Sequence, residues 1–161
     1  MKEDQVRPAT LEDVKLLIQV LNEAGAEYIL IGGYALYAHG YRRATEDIDI
    51  LIPKNRQAGE IIRQALLKLP DKAASAIDPA WIEQGETVRI VDEFVVDILM
   101  SACGETYETL KDFVEIIDLE GLLVTTLDLE GLIKTKQSPR EKDKMDCVIL
   151  KRALAESKKP E

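Results

Sequence analysis

The chain has 161 residues, 46% of them hydrophobic, and 30 acidic against 21 basic side chains give a formal charge of −9. That composition supports an ordinary core and excludes global disorder, and the length stays below the roughly 250–300 residues at which chains divide into several cores. It also excludes a membrane span, since no apolar run approaches ~20 residues, and opposes extended DNA binding, whose affinity rests on phosphate neutralisation.

The start, Met1-Lys-Glu-Asp-Gln5, has no apolar stretch of the secretory kind. Thr10-Leu-Glu-Asp13 then reads as a capping box before a helix with Leu11, Val14, Leu17, Ile18 and Leu21 on one face, ending near Gly25. Tyr28–Ile31 is a short buried strand running into Gly32-Gly33, and residues 34–39 form a helix closed by Gly40. Asp47–Ile52 alternates as a strand and stops at Pro53. Gln57–Leu69 has helical spacing, and 71–85 is expected to be irregular. Thr87–Val91 and Phe94–Leu99 form a hairpin across Asp92-Glu93. A helix over about 106–114 and an extended Leu122–Thr125 follow. The last third is helical, over 127–136 and about 140–155. One domain over 1–161 is expected, with its core at about 10–155 and a frayed tail at 156–161, in a cytoplasmic protein. Asp118-Leu-Glu-Gly-Leu and Asp128-Leu-Glu-Gly-Leu echo each other, a coincidence rather than a repeat array.

Two cysteines, Cys103 and Cys147, and one histidine, His39, make neither a disulfide framework nor a usual zinc site. A metal would therefore be held by carboxylates, which suit Mg²⁺ or Mn²⁺. In a strand, Asp47 and Asp49 project from the same face about 7 Å apart, with Ile48, Ile50 and Ile52 on the other. Two carboxylates on an apolar strand repel each other unless a cation lies between them. Asp97, between Val96 and Ile98, repeats the pattern and would complete a site for two divalent ions about 4 Å apart. The same alternation also describes the solvent-facing side of an amphipathic strand. Gly32-Gly33, between strand and helix, lets the backbone approach a phosphate.

Ile31-Gly32-Gly33, thirteen intervening residues and Asp47-Ile48-Asp49-Ile50 resemble the signature of polymerase-β-type nucleotidyltransferases. Gly32–Ala35, Ala38-His39-Gly40, Arg43–Asp49, Leu132–Lys136 and Arg140–Asp146 are similar to a small bacterial and archaeal branch, the AbiEii-like and toxin–antitoxin nucleotidyltransferases. The resemblance spans about residues 26–150. It implies an α/β (α+β) nucleotidyltransferase fold, a small mixed twisted sheet flanked by helices with a helical C-terminal segment. It further implies that Asp47, Asp49 and Asp97 ligate metal and that Gly32 and Gly33 receive the triphosphate of an NTP. Lys136 would contact phosphate, with Arg43 and Lys134 as further contacts. Asp143 and Asp146 would meet the base or brace the last helix. Serine is frequent in that family where this chain has Gly33.

The implied activity is Mg²⁺-dependent transfer of a nucleoside monophosphate to an RNA, protein or small-molecule acceptor, with pyrophosphate released. A rival reading keeps the fold as a binding or regulatory module, such as an antitoxin-like partner of another protein. His39 reads as a helix-end residue. Tyr34, Tyr37 and Tyr41 read either as packing or as a stacking surface for a base, and the 134–144 lysines and arginine as a solvated face or a phosphate contact.

Overall fold

The computed structural model describes residues 7–43 and 45–158. Met1–Gln5 and the last three residues of the expected frayed tail thus lie outside the described residues.

The capping box forms: the Thr10 hydroxyl accepts from the Asp13 amide and the Asp13 carboxylate accepts from the Thr10 amide. Helix Leu11–Glu23 buries Val14, Leu17, Ile18 and Leu21 against the sheet side of the core. Strand β1 (Ile29–Ile31) leads through Gly32 into the short helix Gly33–Ala38. Strand β2 (Ile48–Leu51) and helix Arg56–Leu66 follow, then β3 (Val88–Val91) and β4 (Val95–Leu99).

The main sheet has the order β1-β2-β4-β3. β1 with β2 and β3 with β4 are antiparallel, while β2 with β4 is parallel, so the sheet is mixed as expected. Ile48, Ile50, Val96 and Ile98 are fully buried beneath it. Their exclusion from water fixes the register, because a one-residue slip would turn them out and the aspartates in.

After the small β5–β6 ribbon (Ser101–Ala102 with Glu105–Thr106), the chain enters a hairpin of β7 (Val114–Leu119) and β8 (Leu122–Leu127). The hairpin lies beside β1: the Thr126 hydroxyl donates to the Leu30 carbonyl at 2.6 Å and the Thr125 amide to the Tyr28 hydroxyl at 3.2 Å. Helices Leu129–Lys134 and Glu141–Ser157 close the chain. No helix among the described residues is long and apolar enough to cross a membrane.

Three expectations change. Within 71–85, a helix forms at Pro79–Glu83, started by the Asp78 side chain accepting from the Ala80 amide and by proline at its first position. The helix expected over 106–114 forms as Tyr107–Leu110 continued by a 3-10 turn over Lys111–Phe113, and Val114 opens the unexpected β7; the exposure of Val114 and Ile116 on this outer strand hides the alternation that marks a half-buried one. The last helix runs on to Ser157, two residues into the supposed frayed tail.

The Asp-Leu-Glu-Gly echo has a local cause. Asp118 accepts from the Gly121 amide at 2.7 Å, and Asp128 accepts from the Gly131 amide at 2.8 Å. The first closes the β7–β8 turn, the second caps helix Leu129–Lys134. Asp128→Ala should cost about 1 kcal/mol of stability in urea unfolding.

Candidate active site

The parallel register of β2 with β4 makes Asp49 and Asp97 direct neighbours. On the outer side of β4, Arg89 is the strand partner of Asp97, and across β1 Ile31 is the partner of Asp49. Ile31, Asp49, Asp97 and Arg89 therefore form one row across four strands. Two residues along, the same face is reached again, which brings in Leu99 on β4 and, just ahead of β2 and β3, Asp47 and Thr87. All seven line one cleft of about 620 Å³.

Gly32 and Gly33 close its end. Gly32 has a φ of 76°, and a Cβ there would overlap the Asp49 carboxylate. At Gly33 a Cβ would stand 2.7 Å from both the Cβ and the hydroxyl of Thr45. Glycine at both places lets the turn lie against the carboxylates, and at position 33 the Thr45 side chain fills the space where a serine would sit.

The electrostatics of the row are unfavourable by design of its register. Burial first, and then the charge of Asp97, push the Asp49 carboxyl up to about 7; Asp47 adds to the rise and Lys136 opposes it. Arg89 offsets part of this from the side. Its Nε donates to Asp97 Oδ1 at 3.0 Å, and its Nη2 donates to Asp97 Oδ2 at 3.1 Å and to Asp47 Oδ2 at 3.0 Å.

A second, buried charge cluster holds the C-terminal helix against the cleft. Arg43 donates to both oxygens of Asp146 at 2.8 and 2.9 Å. Lys136 lies 3.0 Å from Asp146 and 3.7 Å from Asp143, and the Ser138 hydroxyl donates to Asp143 at 2.5 Å. Burial alone would raise the Asp146 carboxyl, but the hydrogen bonds from Arg43 and Lys136 outweigh it and hold it below the ordinary carboxylate range. Asp146 thus ties the last helix to Arg43 and Lys136.

Of the residues the sequence singled out, Gly32, Gly33, Arg43, Asp47, Asp49, Asp97, Lys136 and Asp143 share the cleft. Lys134 does not: its ammonium sits 5.1 Å over the Phe113 ring. Among the basic cluster, Arg140 and Lys142 reach the cleft and Lys144 does not. His39 is the C-cap of its helix and faces the Leu127 carbonyl at 2.7 Å. Tyr34 donates to the Ala9 carbonyl and Tyr37 packs under Arg42, so both serve packing. Cys103 is exposed and lines the cleft. Arg89, Thr45 and Ser138 line the cleft as well, beyond the residues singled out from the sequence. Arg89 had a signal, since Val88-Arg89-Ile90 alternates in the hairpin strand next to Asp97.

The donor set fits a hard divalent cation: three carboxylates on one face, one of them half-buried and short of compensating charge. That fit is one of donor chemistry and not of spacing: among the described residues no three acidic, histidine or cysteine side chains stand together at metal-ligating positions. The Arg89 guanidinium spans Asp47 and Asp97.

Two consequences can be measured. Asp49 binds its proton more tightly folded than unfolded, so this group lowers stability as pH rises from about 4 through about 7. Asp49→Asn should therefore raise the melting temperature more at pH 8 than at pH 5, each unit of that shift corresponding to about 1.4 kcal/mol at most. Asp146→Ala leaves Arg43 and Lys136 without their shared counter-ion and should cost about 3–5 kcal/mol in denaturant unfolding.

No protein-family model matches the chain, and no curated protein matches it in sequence. Solved structures do. A Thermotoga maritima protein assigned as a nucleotidyltransferase shares 13% identity, with 92% of this chain and 93% of that one covered, at a TM-score of 0.56. The antibiotic-resistance factor ANT(2'')-Ia shares 16% identity over 89% of this chain and 83% of that one, at 0.55. An antigenic nucleotidyltransferase-like protein from Paracoccidioides brasiliensis shares 15% over 91% and 78%, at 0.51. These likenesses reach the fold and not the AbiEii-like branch. The chain has the nucleotidyltransferase fold.

Proposed function

We propose that this chain is a metal-dependent nucleotidyltransferase that moves a nucleoside monophosphate from an NTP to an acceptor hydroxyl and releases pyrophosphate. The observation that carries the reading is the convergence of Asp47, Asp49 and Asp97 on one cleft that ends at the Gly32-Gly33 turn. The three carboxylates would hold Mg²⁺ or Mn²⁺, which supplies activation of the acceptor hydroxyl and charge stabilisation at the leaving pyrophosphate.

The remaining residues bind and orient. The glycine turn admits the triphosphate next to the carboxylates, where side chains would block it. Arg43 and Lys136 bring positive charge to the same wall, and Asp146 and Asp143 keep both in fixed positions. Preorganised charge of this kind contributes without reorganising during reaction. We take residues 10–155 as the working unit, because the site draws on Gly32 at one end and Asp146 at the other.

RNA, protein or a small molecule would serve as acceptor, in the cytoplasm where NTPs and Mg²⁺ are at hand. A nucleic-acid acceptor would have to be held locally by Arg140 and Lys142 at the cleft, against a net charge of −9. One observation favours the rival reading of a binding or regulatory module, including an antitoxin-like one. Arg89 already bridges two of the carboxylates as a counter-ion supplied by the protein itself.

The test is transfer of label from NTPs carrying a radioactive α-phosphate, with Mg²⁺ and a total cell extract as the source of acceptors. Wild type should label an acceptor. The double variant Asp47→Asn/Asp49→Asn should lose that labelling by about 100-fold or more with its circular dichroism unchanged. Labelling by the double variant at the wild-type rate would sink the reading.

A further inference from the structure

Arg89 pairs with two of the three carboxylates at once. It rises from β3, whose antiparallel register sets it directly beside Asp97. Its fork takes both Asp97 oxygens and one Asp47 oxygen at 3.0–3.1 Å. The geometry satisfies both carboxylates with a delocalised cation that needs no protons exchanged. Yet the pair is not sealed: the Arg89 side chain is 49% exposed and that of Asp47 33%, against 16% for Asp97. Half-exposed ion pairs are weak and exchange readily with another cation. Once released, the guanidinium stays on the cleft wall, since it is anchored on a strand beside Thr87 and across the cleft from the glycine turn.

We propose that Arg89 is a phosphate-binding residue held in reserve on the metal-binding carboxylates. It rests on the reading of Asp47, Asp49 and Asp97 as a cation site. In the absence of divalent cation Arg89 is the counter-ion of Asp47 and Asp97. When a divalent cation takes those carboxylates, two like charges cannot share them, and Arg89 turns to the anion entering the cleft, the polyphosphate of the substrate. No covalent bond changes in this exchange. Loading of the cation and capture of the phosphates are thereby coupled through one side chain, so the cleft adds Arg89 to Arg43 and Lys136 only when the carboxylates are otherwise compensated.

The exchange predicts opposite effects of one substitution on two ligands. Mn²⁺ binding is read by electron paramagnetic resonance, without nucleotide, for wild type, Arg89→Gln, Arg89→Lys and Asp49→Asn. Inorganic triphosphate binding is then read by calorimetry in saturating Mn²⁺. Arg89→Gln should bind Mn²⁺ about tenfold more tightly and triphosphate about tenfold more weakly than wild type. Arg89→Lys, which keeps a charge but cannot span two carboxylates, should fall between on both. A fold defect would weaken both ligands together. Mn²⁺ affinity unchanged or lower in Arg89→Gln, while Asp49→Asn still loses Mn²⁺, would overturn the role of Arg89. Mn²⁺ binding indifferent to Asp49→Asn, or absent from wild type and Arg89→Gln alike, would overturn the cation-site reading beneath it.

Discussion

The parallel pairing of β2 with β4 is the constraint from which the rest of the site follows. It sets Asp49 and Asp97 side by side on one face of the sheet, while Ile48, Ile50, Val96 and Ile98 hold the register from the other. A hydrophobic core thus enforces an electrostatic conflict. The apolar face cannot be turned out without losing its burial, so the carboxylates must be accommodated where they are. Three groups answer that demand. Arg89 supplies charge from β3, Lys136 supplies it from the C-terminal segment, and Asp49 itself shifts towards its neutral form. Strongly perturbed carboxylates of this kind cluster at functional sites, although structural ion-pair networks produce them as well.

The buried Arg43–Asp146–Lys136 cluster has a different task. It ties the loop before β2 and the segment after helix Leu129–Lys134 to the last helix, and so sets the wall opposite the sheet. Ion pairs at such depth add little net stability compared with apolar packing, but breaking one is costly. Their value here is position. Two cations are kept at the cleft in fixed places, and an anion entering it would meet them without waiting for side chains to order.

Much of this was legible in the chain. The alternation Asp47-Ile48-Asp49-Ile50 gave both the strand and the direction of its carboxylates, because the period of two is strong where one face is buried. Asp97 could be matched to it for the same reason. The glycine turn could be read because glycine at both positions has a steric cause, which the overlap with Asp49 and Thr45 makes explicit. What stayed hidden depends on contacts across sequence distance. Lys134 and Lys136 are two residues apart, but the end of a helix falls between them, so one stacks on Phe113 and the other turns into the cleft. Arg89 looked like any polar residue of an alternating strand, and only the antiparallel register of the hairpin sets it beside Asp97. β7 escaped notice because Val114 and Ile116 are exposed, and an outer strand without a buried face leaves no alternation to read.

If the carboxylate row is a cation-dependent nucleotide site, nucleotide and Mg²⁺ together stabilise the fold through those aspartates. Thermal melting of wild type and of Asp47→Asn/Asp49→Asn with ATP, GTP, CTP and UTP, each with and without Mg²⁺, tests it most directly. A ligand that binds only the folded state adds about 2.7 kcal/mol at a hundredfold excess over its Kd. The account predicts a Mg²⁺-dependent rise in melting temperature for at least one nucleotide, absent from the double variant. A rise that is the same without Mg²⁺ or in the double variant, or no rise with any nucleotide, would contradict it.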